Sequence, residues 1–346
     1  MTSPRHHWDP VCDPPEGVVR PVPVDPTGRA GPTRGQARGR GWRTTSRGRF
    51  VPAWVDADLP EQRILEQAMR LTSGGAVTGW AACRMHGAAF FDGLRDGGRT
   101  QVPVPLGCGP LHQIRRVPGD DLIRDILTPE EIVVVRGVPC TTVPRATFDA
   151  MRYARDVRRA VIALDMMAAA GLTTVAQMRE YVGRKQAWTG VQRARDAVAL
   201  ADDLSRSPQE TRLRLVWHLD CERRKPLVNR PVFDRQGRLL GYPDLFDPDA
   251  GVVGEYDGAD HRSAQQHSDD VERESGFRDH LLEVVRFTGP DMNLPHRVTD
   301  RIHAAYARAR WVPPARRTWT LVPPAHWSPA WSPDRRLVRH GLDTAS

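Results

Sequence analysis

Lysine is nearly absent from this chain of 346 residues. Two of its 50 basic residues are lysines, Lys185 and Lys225, and the others are all arginines. The formal net charge is +8. GC-rich codons favour arginine, and arginine also suits phosphate binding because its planar guanidinium matches phosphate oxygens in pairs. The two interpretations are compatible, so the charge makes a polyanionic partner plausible without establishing one.

Several other features are missing. The sequence has no apolar run long enough for a transmembrane helix and no apolar N-terminal segment typical of a secretory signal. Its five cysteines are scattered without CxxC spacing, which argues against a disulfide framework and against a zinc site. No glycine-rich phosphate loop supports nucleotide binding. These absences predict a cytoplasmic chain with reduced thiols and no membrane partner.

The length predicts two or three domains. Residues 1–40 are rich in proline, glycine and arginine, and we expect a disordered basic arm there. Seven arginines and no acid lie between Arg29 and Arg49. They form either a solvated arm or a surface for nucleic-acid backbone, and in the second case Arg43, Arg47 and Arg49 are the expected contacts.

Residues 41–150 predict a mixed α/β region. The run WRTTSRGRFVPA alternates polar and apolar residues around Gly48, which predicts a hairpin from Trp42 to Ala53. Two helices should follow, the second with Thr78 as its N-cap, and then a small sheet over residues 101–143. Apolar residues at three- and four-residue spacing predict a helical segment over residues 151–204.

The last part of the chain predicts strands between helices. The run SPQE places Ser207 at an N-cap, Pro208 at the first helical position and Glu210 at the third, which is a capping box. The order predicted for residues 205–312 is α-β-β-β-α-β-α. A tail rich in proline and tryptophan, residues 313–346, follows. The fold class expected for the whole chain is α+β or α/β.

Acidic residues are concentrated in one stretch, GYPDLFDPDAGVVGEYDGADH, at residues 241–261. If residues 248–251 form a turn, Asp247 pairs with Val252 in a hairpin. Asp244 then lies opposite Glu255, with Cβ atoms about 4.5–5.5 Å apart. Asp257 lies two residues beyond Glu255 and therefore shares its face.

Directly opposed carboxylates repel each other and destabilise a sheet. The face can be wet, one carboxylate can be protonated, or a divalent cation can bridge the pair. Magnesium usually takes one or two protein carboxylates together with water and substrate phosphate. The apolar runs around the pair favour a cation, whereas an acidic hairpin considered alone is typical of a solvated face.

The motifs resemble those of a known fold. A helical Glu210, then Pro243-Asp244, then Glu255-Tyr256-Asp257 are similar to the helical Glu, P-D and (D/E)-x-K of the restriction-endonuclease-like fold. Over about residues 205–310, the chain more closely resembles a family of small endonuclease-like domains related to the very-short-patch mismatch repair endonucleases. The pattern of that family is E-x-D-G-x-x-H, D-x-x-R and a strand G/L-x-x-V-x-R, and its counterparts here are Glu255, Asp257, Gly258, His261, Asp270, Arg273 and the run Val284-Val285-Arg286.

This resemblance implies metal-dependent hydrolysis of phosphodiester bonds. Glu210, Asp244 and Glu255 would hold Mg²⁺ or Mn²⁺, with Glu210 as an outer or second-metal ligand. His261 would act as general base or as acid for the leaving group, because the reference pKa of a histidine side chain suits neutral pH. Asp257 would complete the metal shell or orient His261.

Two positions of the pattern leave alternatives open. Arg273 would clamp phosphate or pair with Asp270, and an ordinary helical ion pair explains that spacing equally well. Asp257 stands where the motif lysine of the wider fold is found. This is usual in the resembling family, but it leaves open how water is activated. Lys225 is the nearest lysine in sequence, and we do not expect it to fill that role.

The N-terminal half resembles an abortive-infection antitoxin type that is fused to such domains in high-GC Gram-positive bacteria, the actinobacterial group. The hairpin would be the wing of its winged-helix unit. The glycine and proline content of residues 25–41 departs from the helices expected before it.

Three functions are therefore predicted from different classes. The first is a metal-dependent DNA endonuclease in defence or repair. The second is a DNA-binding regulator or antitoxin-like protein with an inactive nuclease-like domain. The third is a protein-interaction role in a toxin–antitoxin or phage-defence pair.

Overall fold

A computed structural model describes residues 17–95, 98–110, 114–116, 120–257 and 276–327 of the chain. The architecture is mixed α+β, with helices and several small sheets. The chain divides between Val198 and Ala199 into two compact units. Among the described residues, no helix combines the length and the apolar character needed to cross a membrane.

The first unit contains two two-stranded antiparallel sheets, β1–β2 and β4–β5, a mixed five-stranded sheet and six helices within the described ranges. Its strands are β1 (Trp42–Ser46), β2 (Arg49–Pro52), β3 (Ala76–Val77), β4 (Leu94–Arg95), β5 (Thr100–Gln101), β6 (Pro105–Gly107), β7 (Asp121–Ile123), β8 (Ile132–Val135) and β9 (Val138–Thr141). Its helices are α1 (Pro60–Ala68), α2 (Gly79–Met85), α3 (Val143–Arg152), α4 (Val157–Ala169), α5 (Val175–Gly183) and α6 (Val191–Leu200). The five-stranded sheet has the order β7-β6-β3-β9-β8.

The predicted hairpin is present. Strands β1 and β2 pair antiparallel, with Trp42 opposite Pro52 and Thr44 opposite Phe50. The turn between them contains Gly48, whose φ of +71° is the left-handed conformation that glycine adopts at least cost. The alternation of polar and apolar residues was therefore sufficient to predict this element.

Residues 17–40 depart from the disordered arm expected there. Val22 forms an isolated antiparallel bridge with Phe50, and the buried side chain of Gln62 exchanges hydrogen bonds of 2.8 and 3.0 Å with the backbone of Val19. The Asp25 carboxylate accepts backbone N–H groups from Ala30 and Thr27, which lowers its pKa to about 2. Polar contacts order this segment. Its composition indicates that it can bury little apolar surface, but composition does not reveal such hydrogen bonds.

A buried ionic network connects α3 with the start of α2. The Asp149 carboxylate on α3 accepts hydrogen bonds from Arg145 Nε at 3.0 Å, Arg152 Nε at 2.7 Å and Thr78 Oγ1 at 2.6 Å. Thr78 occupies the predicted N-cap position of α2, but its hydroxyl makes no capping bond and binds Asp149 instead. Buried charges are tolerated when they are paired in this way.

The second unit contains two sheets within the described ranges. Its elements are α7 (Pro208–Leu215), which continues as a π-helical turn (Val216–Asp220), β10 (Leu227–Val228), β11 (Val232–Asp234), β12 (Leu239–Gly241), β13 (Leu245–Asp247), β14 (Val252–Asp257), β15 (Glu283–Thr288), α8 (Gly289–Met292), α9 (Pro295–Arg308) and β16 (Trp319–Thr320). The main sheet has the order β10-β13-β14-β15, and the small sheet has the order β12-β11-β16. In the main sheet, β14 and β15 are parallel and the other pairs are antiparallel.

The strand order corrects the sequence prediction at one point. Three successive strands were expected between the first helix of this unit and its next predicted helix, whereas five strands, β10–β14, follow α7 within the described residues up to 257. Strands β11 and β12 pair with each other outside the main sheet, and β11 also pairs with β16, which belongs to the predicted tail. Trp319 of β16 is buried and packs edge-on against Phe246, with ring centroids 5.0 Å apart. The tail therefore supplies a strand that local patterns could not reveal.

Apolar residues cover both faces of the main sheet. On one face, α7, its π-helical turn and α9 pack against β13–β15 through Trp217, Tyr306, Leu245, Val252, Val285 and Phe287. On the other face lies a cluster of Val232, Phe246, Val253, Phe277, Val284 and Trp319. We call the second side the Trp319 face. Trp217 fits closely over Gly254, because a Cβ at that position would lie 2.8 Å from its ring.

Candidate active site

The β13–β14 hairpin has the predicted register. Asp247 pairs with Val252, Phe246 with Val253 and Leu245 with Gly254. Asp244 directly precedes β13, and continuing this register by one residue places it opposite Glu255. Four residues connect the two strands, as the sequence predicted, and the backbone N–H of Gly251 closes the turn on Asp247 O at 2.9 Å.

Three carboxylates share the Trp319 face of the main sheet. Side chains alternate between the two faces of a strand, and Val253 and Phe246 belong to the Trp319 face. Glu255 and Asp257 lie two and four residues after Val253. Continuing the alternation of β13 by one residue places Asp244 on the same face. All three are partly exposed, as a site that admits solvent or substrate requires.

The three carboxylates also lie at one edge of the sheet. Strands β14 and β15 are parallel, so both end at this edge, and β13 is antiparallel to them and begins there. Arg286 of β15 lies in register beside Glu255, and Thr288 lies beside Asp257. The carboxyl ends of parallel strands are where open α/β sheets commonly place their ligands.

Asp244 is fixed from two neighbouring strands. Its carboxylate oxygen Oδ2 accepts the backbone N–H of Tyr256 at 2.7 Å. Its carbonyl oxygen accepts the backbone N–H of Asn229 at 3.2 Å, which extends the β10–β13 ladder by one residue. The side chain is therefore held against β14 between Glu255 and Asp257.

Glu210 has a different environment. Ser207 caps α7 by accepting the Glu210 N–H at 3.2 Å, which confirms half of the predicted capping box. The buried Glu210 carboxylate does not return to the Ser207 N–H. Its oxygen Oε2 accepts Arg206 N at 2.9 Å and the side-chain amide of Asn229 at 2.8 Å. Glu210 is thus anchored to the loop that leads into the site.

Asn229 is the site residue that sequence reasoning missed. It joins the helical Glu210 through its amide to Asp244 through its backbone. A further bond from its amide to Leu204 O measures 2.9 Å. Its φ is +48°, a conformation that asparagine adopts more readily than most residues. Asn229 begins the loop sequence Asn-Arg-Pro. An asparagine in a loop is a weak local signal, and no motif spacing in the sequence points to Asn229.

Lys225 is bonded to groups outside the predicted site. Its ammonium donates to Ala201 O at 2.7 Å and lies 3.2 Å from Asp202 Oδ2. Neither partner is a predicted metal ligand or catalytic residue. This geometry agrees with the expectation that Lys225 does not replace the motif lysine.

The predicted metal triad is not assembled in the described part of the chain. Within those ranges, no group of three or more His, Cys, Asp or Glu side chains is arranged so that it could hold a metal ion. The opposed pair Asp244 and Glu255 nevertheless fits a hard cation in kind, because magnesium commonly takes one or two protein carboxylates and fills its shell with water and phosphate. Glu210, bonded to Arg206 and Asn229, fits a supporting position better than a ligand position.

Two other carboxylates of the acidic stretch have structural roles. Asp247 is buried and accepts N–H groups of Asp249 and Ala250 at 2.9 and 3.2 Å, which shapes the turn. It also accepts the hydroxyl of Tyr306. The pKa of Tyr306 is raised mainly by burial of its hydroxyl and secondly by this hydrogen bond. Asp249 is exposed and pairs with Arg224. The stretch therefore combines a carboxylate edge with an ordinary Asp-stabilised turn.

The remaining predicted site residues are divided between described and undescribed parts of the chain. His261 and Arg273, together with Gly258, Asp260 and Asp270, lie outside the described residues. Of the predicted nucleic-acid contacts, Arg47 is exposed at the hairpin turn and Arg49 is partly exposed. Arg43 makes a paired interaction with Glu66 at 2.7 and 3.0 Å, so this guanidinium is already bound to a carboxylate.

Comparison with known proteins adds no relative to this description. No family model, no curated protein and no solved structure matches the chain.

Proposed function

We propose that the second unit is a metal-dependent DNA endonuclease that hydrolyses phosphodiester bonds in the cytoplasm, in defence or repair. The observation that carries this proposal is the register of β13 and β14, which, continued by one residue, would set Asp244 opposite Glu255 where β14 and β15 end. The resemblance to the restriction-endonuclease-like fold supports the same assignment, because Asp244 and Glu255 occupy its two acidic motif positions.

Each site residue has a separate part in this proposal. Asp244 and Glu255 would hold Mg²⁺ or Mn²⁺. The bound metal would supply polarisation of a phosphoryl oxygen and a water of lowered pKa. Glu210 and Asn229 position Asp244 through its backbone. Asp257 extends the carboxylate edge, and His261 is the proposed group for proton transfer.

A DNA-binding regulator with an inactive nuclease-like domain is the second candidate. The bonds of Glu210 to Arg206 and Asn229 favour it, because they give this carboxylate a sufficient structural reason to be present. The antitoxin-like resemblance of the first unit and its exposed hairpin turn agree with the same alternative. Under this second candidate, the protein would act together with a partner protein in a toxin–antitoxin or defence pair.

The deciding experiment is a cleavage assay at low salt with supercoiled plasmid and with single-stranded DNA. The protein is incubated with Mg²⁺, Mn²⁺ or EDTA, and the variants Asp244→Asn and Glu255→Gln are compared with wild type. Asp249→Asn is the matched control, because it removes an exposed carboxylate from the same hairpin.

The endonuclease proposal expects metal-dependent cleavage that Asp244→Asn and Glu255→Gln each reduce by at least about 100-fold, as removal of a principal electrostatic contributor commonly does. Asp249→Asn should cleave like wild type. DNA binding without cleavage by any form would favour the regulator. Equal cleavage by all four proteins would assign the activity to other residues or to a contaminant.

A further inference from the structure

An arginine-lined groove follows the outer edge of the main sheet. Two shallow cavities of about 370 and about 390 Å³ lie side by side where β15, the last strand of the sheet, meets α9. Five arginines line the two cavities: Arg278, Arg286, Arg301, Arg308 and Arg310. We call this surface the β15 groove.

Positive charge exceeds negative charge in the β15 groove. Arg301 pairs with Asp291 at 3.0 Å, and Arg308 pairs with Glu283 at 2.6 Å. Both arginines are about half exposed, so each guanidinium also faces solvent. Among the described residues that line the two cavities, Glu283 is the one acid. A surface with this balance attracts an anionic ligand more strongly than an ordinary mixed surface does.

The spacing of the arginines suits a repeating anion. Arg301 and Arg308 are seven residues apart on α9, which places them on the same helix face about 10 Å apart. The six residues of β15 extend for about 20 Å. Phosphates of one strand advance by about 3.4 Å each along the duplex axis and lie farther apart along the winding backbone, so this length suits a few successive phosphates.

The β15 groove also reaches the carboxylate edge. Arg286 lines the groove and lies in register beside Glu255 on the neighbouring strand. Adjacent strands are about 4.8 Å apart. A chain of phosphates lying along the outer side of β15 would therefore lie one strand from Glu255 and two strands from Asp244, while α9 covers the opposite face of the sheet. The acidic motif in the sequence does not reveal that the arginines of α9 lie beside β15.

We infer that the β15 groove binds the phosphate backbone of the nucleic acid, with Arg301, Arg308 and Arg310 as direct phosphate contacts. The inference rests on the proposed function for the identity of its ligand, but binding here does not require that the carboxylates hold a metal. It assigns the principal binding surface to the second unit rather than to Arg43, Arg47 and Arg49 of the first.

The test measures binding without cleavage. Fluorescence anisotropy in EDTA follows binding of the full-length protein to a labelled 20-base-pair duplex and to the corresponding single strand, over a range of salt concentrations. The variant R301Q/R308Q is compared with R224Q/R238Q. Arg224 and Arg238 are exposed, are ion-paired with Asp249 and Asp234, and lie outside the groove, so both double variants remove the same charge and the same number of surface ion pairs.

The inference expects R301Q/R308Q to weaken binding at least 10-fold at low salt. The slope of log K against log salt concentration should become less steep by about 1.8 for the duplex or about 1.4 for the single strand, because each lost phosphate contact removes about 0.9 or 0.7. R224Q/R238Q should retain the wild-type slope. Circular dichroism and the unfolding midpoint confirm that each variant is folded.

Three results would overturn the inference. The two double variants could lose affinity equally, which would show a general charge effect. DNA affinity could be lost on replacing Arg47 and Arg49 while R301Q/R308Q binds normally, which would place binding on the first unit. R301Q/R308Q could lose affinity for a labelled polyglutamate peptide but not for DNA, which would make the groove a surface for an acidic protein. The variant D244N distinguishes the two proposals. If it binds DNA in EDTA as wild type does, the groove binds DNA independently of the carboxylates, and its cleavage rate then tests the endonuclease proposal alone.

Discussion

The side-chain amide of Asn229 donates a 2.8 Å hydrogen bond to Oε2 of the buried carboxylate of Glu210. Its backbone N–H binds the carbonyl of Asp244, so one loop residue connects the helical acid with the acid that opens β13. This contact explains how two motif residues 34 positions apart are held in a common framework. It also makes Asn229 the most informative position for mutation.

Replacement of Asn229 by glycine should destabilise the second unit. Glycine tolerates the positive φ, so the substitution removes the amide without straining the backbone. We expect a loss of about 1–3 kcal/mol in the free energy of unfolding, because a buried carboxylate loses a hydrogen bond. Urea denaturation measures it.

A double-mutant cycle with Glu210→Ala isolates the contact itself. The coupling free energy between positions 229 and 210 should be about 1–2 kcal/mol, as expected for residues in one hydrogen-bond network. Additive effects of the two substitutions would show that the Asn229–Glu210 bond contributes nothing of its own.

Lys225→Met should leave DNA cleavage within about twofold of wild type, well below the 10²–10⁴-fold contribution of a general acid or base. The ammonium is bonded to Ala201 O and Asp202, and neither group belongs to the proposed site. Cleavage rates under saturating metal, normalised to the folded fraction, provide the measurement. A 100-fold loss in a folded protein would instead make Lys225 a functional counterpart of the motif lysine.

Gly254→Ala should destabilise the second unit by about 1–3 kcal/mol, the usual cost of overpacking a core. The new methyl group would lie 2.8 Å from the ring of the fully buried Trp217. Gly276→Ala is the control, because no atom of the described residues lies within 4 Å of its Cβ position. Equal unfolding midpoints for the two variants would mean that Trp217 moves aside without cost.

Acidification should destabilise the first unit through His86. Burial lowers the pKa of this imidazole below 6.5, and its Nε2 lies 2.7 Å from Thr141 O. Below pH 6.5 the unfolded chain therefore binds more protons at this position than the folded chain, so stability falls as the pH falls. The contribution is fully present above the unfolded pKa.

The variant His86→Gln cannot titrate at this position. The difference in thermal stability between wild type and His86→Gln should therefore narrow as the pH is lowered from 7 to 5. Thermal unfolding followed by circular dichroism at several pH values measures this difference. A constant difference over that interval would assign the acid sensitivity to other groups.

Local pattern predicted the hairpins well, because they depend on residues close together in sequence. Alternation around Gly48 was enough to predict the first hairpin, and a four-residue turn after Asp247 was enough to give the register of the second. The same pattern placed Asp244 opposite Glu255 and Asp257 on their face. The start of helix α7 was equally predictable from the sequence, since Ser207 and Pro208 mark it. Here strand alternation and helix capping dictate the structure directly.

Long-range contacts decided the rest. Strand β16 pairs with β11 across about 85 residues, and no local signal shows that the tail completes that sheet. The same applies to Asn229 and to the β15 groove, where a strand and a later helix bring five arginines together. The sequence by itself determined which carboxylates face one another. Only the tertiary structure decided which groups support them and where an anionic chain can lie, because those relationships depend on packing between distant elements.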